Sequence, residues 1–402
     1  MFYITNDMKP DHEMAFDEIL SAMERGVRVD MERLNKMSFK LQQDVNSCAT
    51  ELRNRYMIDN PNSSVQVKNA FMQWIKPEDL KYCKVMGKVT FKKEVLVKLD
   101  ELGYEIATRM LEYRKAKKTL ESLVTLKDNC DAYGLIHPEV ERGITNRFNY
   151  SKPALMNIPK AILWDIIIPY REDSALYSVD IKQQEPWILV NLLDIEELRD
   201  LIAVHKDFYA ALFYAAFGEE CNEEQRKEVK RAWNAMSYGA SEQGILQYCT
   251  LFDGHTLYNY FNSIKEYKQF KGRAYGLAKK NCQRMNTYFG TTLYAGEYGS
   301  KLQRVLMNIP IQGTGSDILS FLIERFCDKI AADGYSELMQ IYYTRHDELI
   351  IEVSNKVTEE SCISYLRDVF EHQIDDWEPF NVEIEKVSAD KVLENGDDET
   401  DE

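Results

Sequence analysis

Gln340 to Val353 reads Q-I-Y-Y-T-R-H-D-E-L-I-I-E-V, which predicts two short β-strands joined at His346, Asp347 and Glu348. Tyr, Ile, Thr and Val crowd both arms, the composition that suits a pleated, half-buried surface. The tip departs from the usual pattern. A tight hairpin favours Gly or Asn-Gly for positive φ, yet two adjacent carboxylates and an imidazole stand here. Carboxylates on a rigid hairpin suit a hard divalent cation such as Mg2+. A solvated Asp-Glu turn is the alternative, and the three residues alone leave both open.

The surrounding chain narrows the choice. At 402 residues it is long for one core and predicts several subdomains. Its 45% apolar and 29% charged composition is that of a globular protein. No run of about 18 apolar residues occurs, and the start M-F-Y-I-T-N-D lacks a basic segment followed by an apolar one. Neither secretion nor membrane insertion is expected. The eight cysteines are scattered without a C-x-x-C pair, which argues against zinc and a disulfide framework and fits a reducing cytoplasm. The net charge of -16 counts against nucleic-acid binding at face value, but acidic residues concentrate in a tail from Glu394 to Glu402, expected to be disordered. Cations gather instead between Lys81 and Lys127.

Along the chain, Glu13 to Arg25 predicts a helix, and Asp30 an N-cap for a long one over Met31 to about Tyr56. A turn cluster at Asn60-Pro61-Asn62 precedes a short helix from about Val65 to Trp74. One long helix is expected from Lys93 to Leu126, carrying Arg114, Lys115, Lys117 and Lys118. That cluster reads either as a solvated face or as a surface that tracks a nucleic-acid backbone. His137 to Pro159 reads as irregular, Ser174 to Ile181 as a strand with Asp180 near its end, and Glu185 to about Asn286 as helices. Thr287 to Leu302 looks hairpin-like. A helix is expected after Thr314, a final one over Glu359 to Asp375, and a last strand over Asn381 to Val387.

Two placements carry chemistry. Over Glu223 to Tyr238, Arg226, Lys230, Trp233, Asn234 and Ser237 share one helical face at 100° per residue. Such a face could carry a nucleoside triphosphate, with phosphates on Arg226 and Lys230, or could be a basic face with Trp233 half buried. Asp180 at a strand end and Asp347 at a hairpin tip form the carboxylate pair that two-metal phosphoryl transfer requires.

Three segments then resemble the polymerase motifs of family A DNA polymerases, the bacterial DNA polymerase I type. Asp180-Ile181-Lys182-Gln183-Gln184-Glu185 resembles motif A, Arg226-x3-Lys230-x7-Tyr238-Gly239 motif B, and His346-Asp347-Glu348 motif C. Thr145-x-Arg147 with Pro153-x-Leu155-x-Asn157-Ile158-Pro159, and Arg304-x3-Asn308-x-Pro310-x-Gln312-Gly313-Thr314, are similar to flanking segments of the same family. The resemblance implies a mixed α/β right-hand fold with an antiparallel-sheet palm, helical fingers and a helical thumb. Its expected divisions are 1–140 (N-terminal region and thumb), 141–195 and 287–390 (palm), 196–286 (fingers) and 391–402 (acidic tail).

The resemblance also implies roles. Asp180 and Asp347 would hold two Mg2+ ions, with Mn2+ an alternative, and Glu348 would support them. Arg226, Lys230 and His205 would bind the triphosphate, Gln183, Trp233 and Asn234 would contact the nucleotide, and Lys230 could protonate pyrophosphate. Glu185 would crowd the sugar 2′ position, and Tyr238 would hold the templating position. Arg147, Arg304, Asn308, Gln312 and His346 would contact primer and template. The family's stacking aromatic, four residues after Lys230, is Asn234 here, so either Trp233 takes over the stacking or nucleotide selection is looser. Asp11-His12-Glu13 superficially matches a D-x-E proofreading signature but reads as a helix start, and no exonuclease activity is expected. The implied protein is a monomeric, phage-type DNA polymerase that takes primer-template DNA and dNTPs, with a helicase, primase or separate exonuclease as open partners. The alternatives are a single-subunit RNA polymerase, a reverse transcriptase or lesion-tolerant enzyme, and a catalytically silent nucleic-acid-binding protein.

Overall fold

A computed structural model describes residues 2–85, 88–377 and 379–388. The expected acidic tail at 391–402 lies outside the described residues. The chain divides into two compact units, one of residues 1–25, 140–149 and 169–387, the other of 26–139, 150–168 and 388–402. The expected segment 1–140 is therefore split, its first 25 residues belonging with the larger unit.

In the larger unit a four-stranded antiparallel sheet is built from β1 (Ser174–Ile181), β2 (Met339–Arg345), β3 (Glu348–Ser354) and β4 (Val382–Lys386), in the order β2-β3-β1-β4. All seven residues of β3 are buried, so alternation is absent and the strand reads as a continuous apolar run interrupted by Glu348 and Glu352. The registers fix the chemistry. Leu349 pairs with Val179, and Val382 with Ile181, so β1 is central and its Asp180 lies beside the end of the β2–β3 hairpin. Within that hairpin Arg345 pairs with Glu348, leaving His346 and Asp347 as a two-residue turn. His346 itself takes the positive φ of +54°, a conformation a non-Gly residue adopts infrequently.

Helices of this unit include α1 (Phe208–Phe217), α2 (Glu223–Ser237), α3 (Lys265–Lys279), α4 (Gly299–Asn308) and α5 (Thr314–Ala332). A capping box of Asn222 and Gln225 starts α2. A π-helical turn at Ile309–Gly313 joins α4 to α5, an irregularity often found at functional sites. A Cβ on Gly313 would lie 2.8 Å from the Thr287 side chain and 3.0 Å from that of Leu293, so this turn packs too closely for a larger residue. The hairpin expected over Thr287 to Leu302 is instead Arg284–Asn286 paired with Thr292–Tyr294, and α4 begins at Gly299.

The final helix stops at Phe370, because His372–Ile374 pairs in parallel with Phe2–Ile4. Asp11 accepts the Met14 N–H at 2.9 Å, and His12 Nε2 lies 3.0 Å from the buried Asp317. These residues anchor the start of the His12–Arg25 helix, in keeping with the helix-start reading.

The smaller unit is largely helical. Asp30 caps Met31–Tyr56 by accepting the Glu32 and Arg33 N–H groups. Leu52, Phe71, Leu96 and Met110 share its core. The single helix expected from Lys93 to Leu126 is two, Lys93–Glu101 and Glu105–Asp128. Gly103 breaks it at φ +82°, and Tyr104 donates to Asp79 at 2.6 Å, holding the corner. No described helix is long and apolar enough to cross a membrane.

Candidate active site

Arg147 is the hub of the site. One nitrogen, Nη2, donates to Glu185 Oε1 at 2.7 Å and to Asp347 Oδ2 at 2.8 Å. Burial works to depress the guanidinium, but the two carboxylates hold it above its ordinary range. Asp347 shows the converse. Burial raises its carboxyl despite the opposing pull of Arg147. Its second oxygen, Oδ1, is buried without a hydrogen-bond partner. A rigidly held carboxylate with an unsatisfied oxygen is a fitting ligand for a hard cation. Asp180 follows Val179, whose partner Leu349 follows Glu348, and on its other side Asp180 pairs with Glu383 of β4. Glu348 accepts a short hydrogen bond from Ser178 on β1 and is 4% exposed, so its carboxylate is committed to the sheet. Among the described residues no three His, Cys, Asp or Glu side chains already converge on a metal position.

Glu185 opens the Gln184–Leu192 helix. Besides Arg147, it accepts a short bond from the Tyr238 hydroxyl and one from Gln312 Nε2 at 3.2 Å. Gln312 also reaches the Tyr238 hydroxyl at 3.2 Å. Burial, then the adjacent Glu185, push the Tyr238 phenol well above its usual pKa, so the phenol stays a donor. Segments distant in sequence thus meet in one network: Arg147, Glu185, Tyr238, Gln312 and Asp347.

A second cluster forms where α1 meets α2. Asp207 caps α1 through the Ala210 N–H. It also accepts Arg226 Nη2 at 2.5 Å and Nε at 3.0 Å, and Gln183 Nε2 at 2.5 Å. Burial alone would raise the Asp207 carboxyl, but Arg226 lowers it below its ordinary range. Gln183, at φ +53°, also accepts the Phe208 N–H through its side-chain oxygen. The Arg226 guanidinium lies 5.3 Å from the Tyr209 ring. Lys230 lies on the same partly exposed side of α2 as Arg226.

Several expected residues fall elsewhere. Trp233 is 1% exposed and packs edge-on against Phe208 and Tyr209. Its ring offers no free face for stacking, and the exposed member of the pair is Asn234. The shared helical face holds for Arg226, Lys230 and Asn234, but Ser237 is buried with Trp233 because α2 lies against α1. His205 ends the Glu196–His205 helix, 3.3 Å from Glu220 and beside the Tyr214 ring. Asp207 and Tyr209, which sequence reading passed over, face Arg226 instead. Their only signal was an Asp at a helix N-cap position.

Arg304 is exposed on α4, while Asn308, at its end, has a buried Oδ1 without a hydrogen-bond partner. His346 is exposed at the hairpin tip. In the smaller unit, Arg114 turns inward and donates to the Phe91 carbonyl at 2.7 Å, so it does not belong to a backbone-tracking surface. Lys117 pairs with Glu121 at 3.5 Å, and Lys115 and Lys118 are exposed.

Comparison with known proteins places this geometry. A family model described as DNA polymerase family A matches residues 31–388. DNA polymerase I of Aquifex aeolicus (strain VF5) is 24% identical over 364 residues, covering 87% of this chain and 61% of that protein. DNA polymerase I of Geobacillus stearothermophilus is 25% identical over 377 residues, covering 86% of this chain and 41% of that one. The chain thus spans 41% to 61% of the length of these two relatives. Among solved structures, the POL domain of Pol1 from M. smegmatis, in complex with DNA primer-template and dNTP, superposes with a TM-score of 0.81 at 21% identity. That match covers 95% of this chain and 70% of the other, and it gives the fold.

Proposed function

Because the chain belongs to DNA polymerase family A, we propose that it extends a primer 3′-OH on a DNA template with dNTPs, releasing pyrophosphate. The observation that carries the reading is the Arg147 network. It brings Glu185 and Asp347, from two separate motifs, onto one guanidinium nitrogen, with Asp180 on the strand next to Glu348.

Asp180 and Asp347 would hold divalent cations, Mg2+ by the hardness of their oxygens. Bound there, such ions supply charge stabilisation at the attacking and leaving oxygens. The chain's own residues do the remainder. Arg226 and Lys230 bind the triphosphate from one side of α2, the guanidinium as a fork and the ammonium as a point charge. Lys230 delivers a proton to the leaving pyrophosphate. The triphosphate takes the place of Asp207 as the partner of Arg226. Tyr238, held by Glu185 and Gln312, closes the position of the reacting pair, and Glu185 occupies the space a 2′-hydroxyl would need. Gln312, Asn308, Arg304 and His346 contact primer and template through minor-groove acceptors, which occur at similar positions in every base pair.

The test is single-nucleotide addition to a primer with each of the four templating bases in turn. The expected result is addition of the complementary dNTP only, with NTPs admitted once Glu185 is replaced by Ala. Addition independent of the template, or unchanged exclusion of NTPs by Glu185→Ala, would contradict the reading. A preference of the unaltered chain for NTPs would favour an RNA polymerase instead.

A further inference from the structure

The largest local excess of cations in this acidic chain lies almost wholly outside the site, of whose residues it includes Arg304 alone. Residues 265–304 hold nine Lys or Arg and two acids, in a protein of net charge -16. On α3, Lys265, Lys268, Tyr275 and Lys279 fall within about 80° of one another at 100° per residue, and all four are exposed. The opposite side of the helix buries Tyr267, Phe270 and Ala274, so this is the outward face. It runs about 21 Å from Lys265 to Lys279 at the helical rise. Cys282 N–H bonds back to the Leu277 carbonyl at 3.0 Å, which ties the following Arg284–Tyr294 hairpin pair to the end of the helix.

Some exposed cations elsewhere are neutralised by acids. In the smaller unit Arg55 pairs with Glu105 at 2.6 Å, Arg53 with Asp59 at 3.0 Å and Arg109 with Glu51 at 3.1 Å. Among the described residues, Lys265, Lys268, Lys279 and Arg284 make no ion pair. Two of these cations lie instead against exposed rings. Lys279 Nζ is 4.8 Å or less from a ring centre, at 4.6 Å from Tyr275, and the Arg284 guanidinium is 4.8 Å from Tyr294. Those rings are 49% and 55% exposed. A Cβ on Gly272 or Gly276, between the cations of α3, would meet nothing within 4 Å, so a ligand can approach the helix backbone closely there.

Unpaired cations alternating with exposed flat rings fit a strand that offers both phosphates and unpaired bases. A duplex offers only the phosphates, because its bases are already stacked. Resting on the polymerase reading above, we infer that the outward face of α3 and the adjoining hairpin bind single-stranded template, the part of the strand not yet paired.

The test is fluorescence anisotropy of the full chain, without dNTP, on one duplex carrying either a long 5′ template overhang or a single-base overhang. The double variant Lys268→Ala/Lys279→Ala should weaken binding of the long overhang about tenfold at low salt and reduce its logarithmic salt slope by about 1.4, the value for two single-strand phosphate contacts. Tyr275→Ala should weaken it about fivefold or more, and Tyr275→Phe should restore it. Binding of the single-base overhang should stay within about twofold, since no unpaired strand reaches the face. Equal losses on both substrates would assign the face to duplex backbone and overturn the inference. No loss on either would assign it to a partner other than nucleic acid and overturn it equally. Templated addition on the single-base substrate separates the two claims. If that addition is intact and overhang binding is unmoved, this inference alone fails. If the unaltered chain adds no nucleotide but shows the overhang effect, the polymerase reading fails and single-strand binding stands.

Discussion

Asp207 shows how a side chain can matter more than its motif suggests. It holds the guanidinium expected to take the triphosphate, and it also caps α1 and engages Gln183. A carboxylate in that place competes with phosphate for the same donors. Asp207→Asn keeps a good N-cap while removing the charge, so it should lower KM for dNTP several-fold with kcat nearly held. Steady-state kinetics of single-nucleotide addition check this, and a raised KM would show that Asp207 orients Arg226 rather than competing for it. Residue roles were unevenly legible in the sequence. Asp180 and Asp347 stood out because strand and hairpin signals placed them at ends, and Glu185 through the resemblance of Asp180–Glu185 to motif A. Trp233 did not, since a helical wheel shows which residues share a face but not how wide a stripe the neighbouring helix covers. Here α1 covers enough of α2 to bury Trp233 and leave Asn234 outside.

Among the elements, the strand His372–Ile374 was hidden in an apparent helix because its partner, Phe2–Ile4, lies at the other end of the sequence. Helical periodicity cannot report a pairing that distant. The strand has a consequence for stability. His372 is fully buried, its ring stacked on Phe380 at 4.8 Å, with Nδ1 donating to the Phe370 carbonyl at 2.9 Å. Burial depresses its pKa to about 4. The unfolded chain takes up this proton first, near the ordinary value of about 6.5. The fold therefore has its full stability above that pH and loses it as the pH falls from about 6.5 towards 4, by about 2 kcal/mol at pH 5 from this group. Thermal midpoints of the unaltered chain and His372→Phe at pH 7 and pH 5 check the sign. The fall should be smaller in the variant, and equal falls would assign the acid sensitivity to other groups. Other element boundaries were read closely: Met31–Tyr56 starts where the Asp30 cap puts it, and Ser174–Ile181 has the bounds of the expected strand. The break at Gly103 was missed because good helix formers stand on both sides of it.

The molecule as a whole has the right-hand polymerase fold of its family, and the sequence disclosed it through the order and spacing of three motifs rather than through bulk properties. Net charge pointed the other way. An acidic total concealed a local excess of cations at residues 265–304, and summed charge cannot reveal such an arrangement. The antiparallel sheet was legible because β1, β2 and β3 are each marked locally, whereas the Arg147 network was not, since it joins residues up to 200 positions apart. Beside that network, Asp180 and Asp347 are the pair proposed to hold the ions on which the reaction depends. The most direct measurement is Mg2+-dependent primer extension by purified Asp180→Ala and Asp347→Ala, with template binding followed on the same preparations. Each variant should lose extension by several orders of magnitude while still binding primer-template. Extension near the level of the unaltered chain by either variant would contradict that assignment.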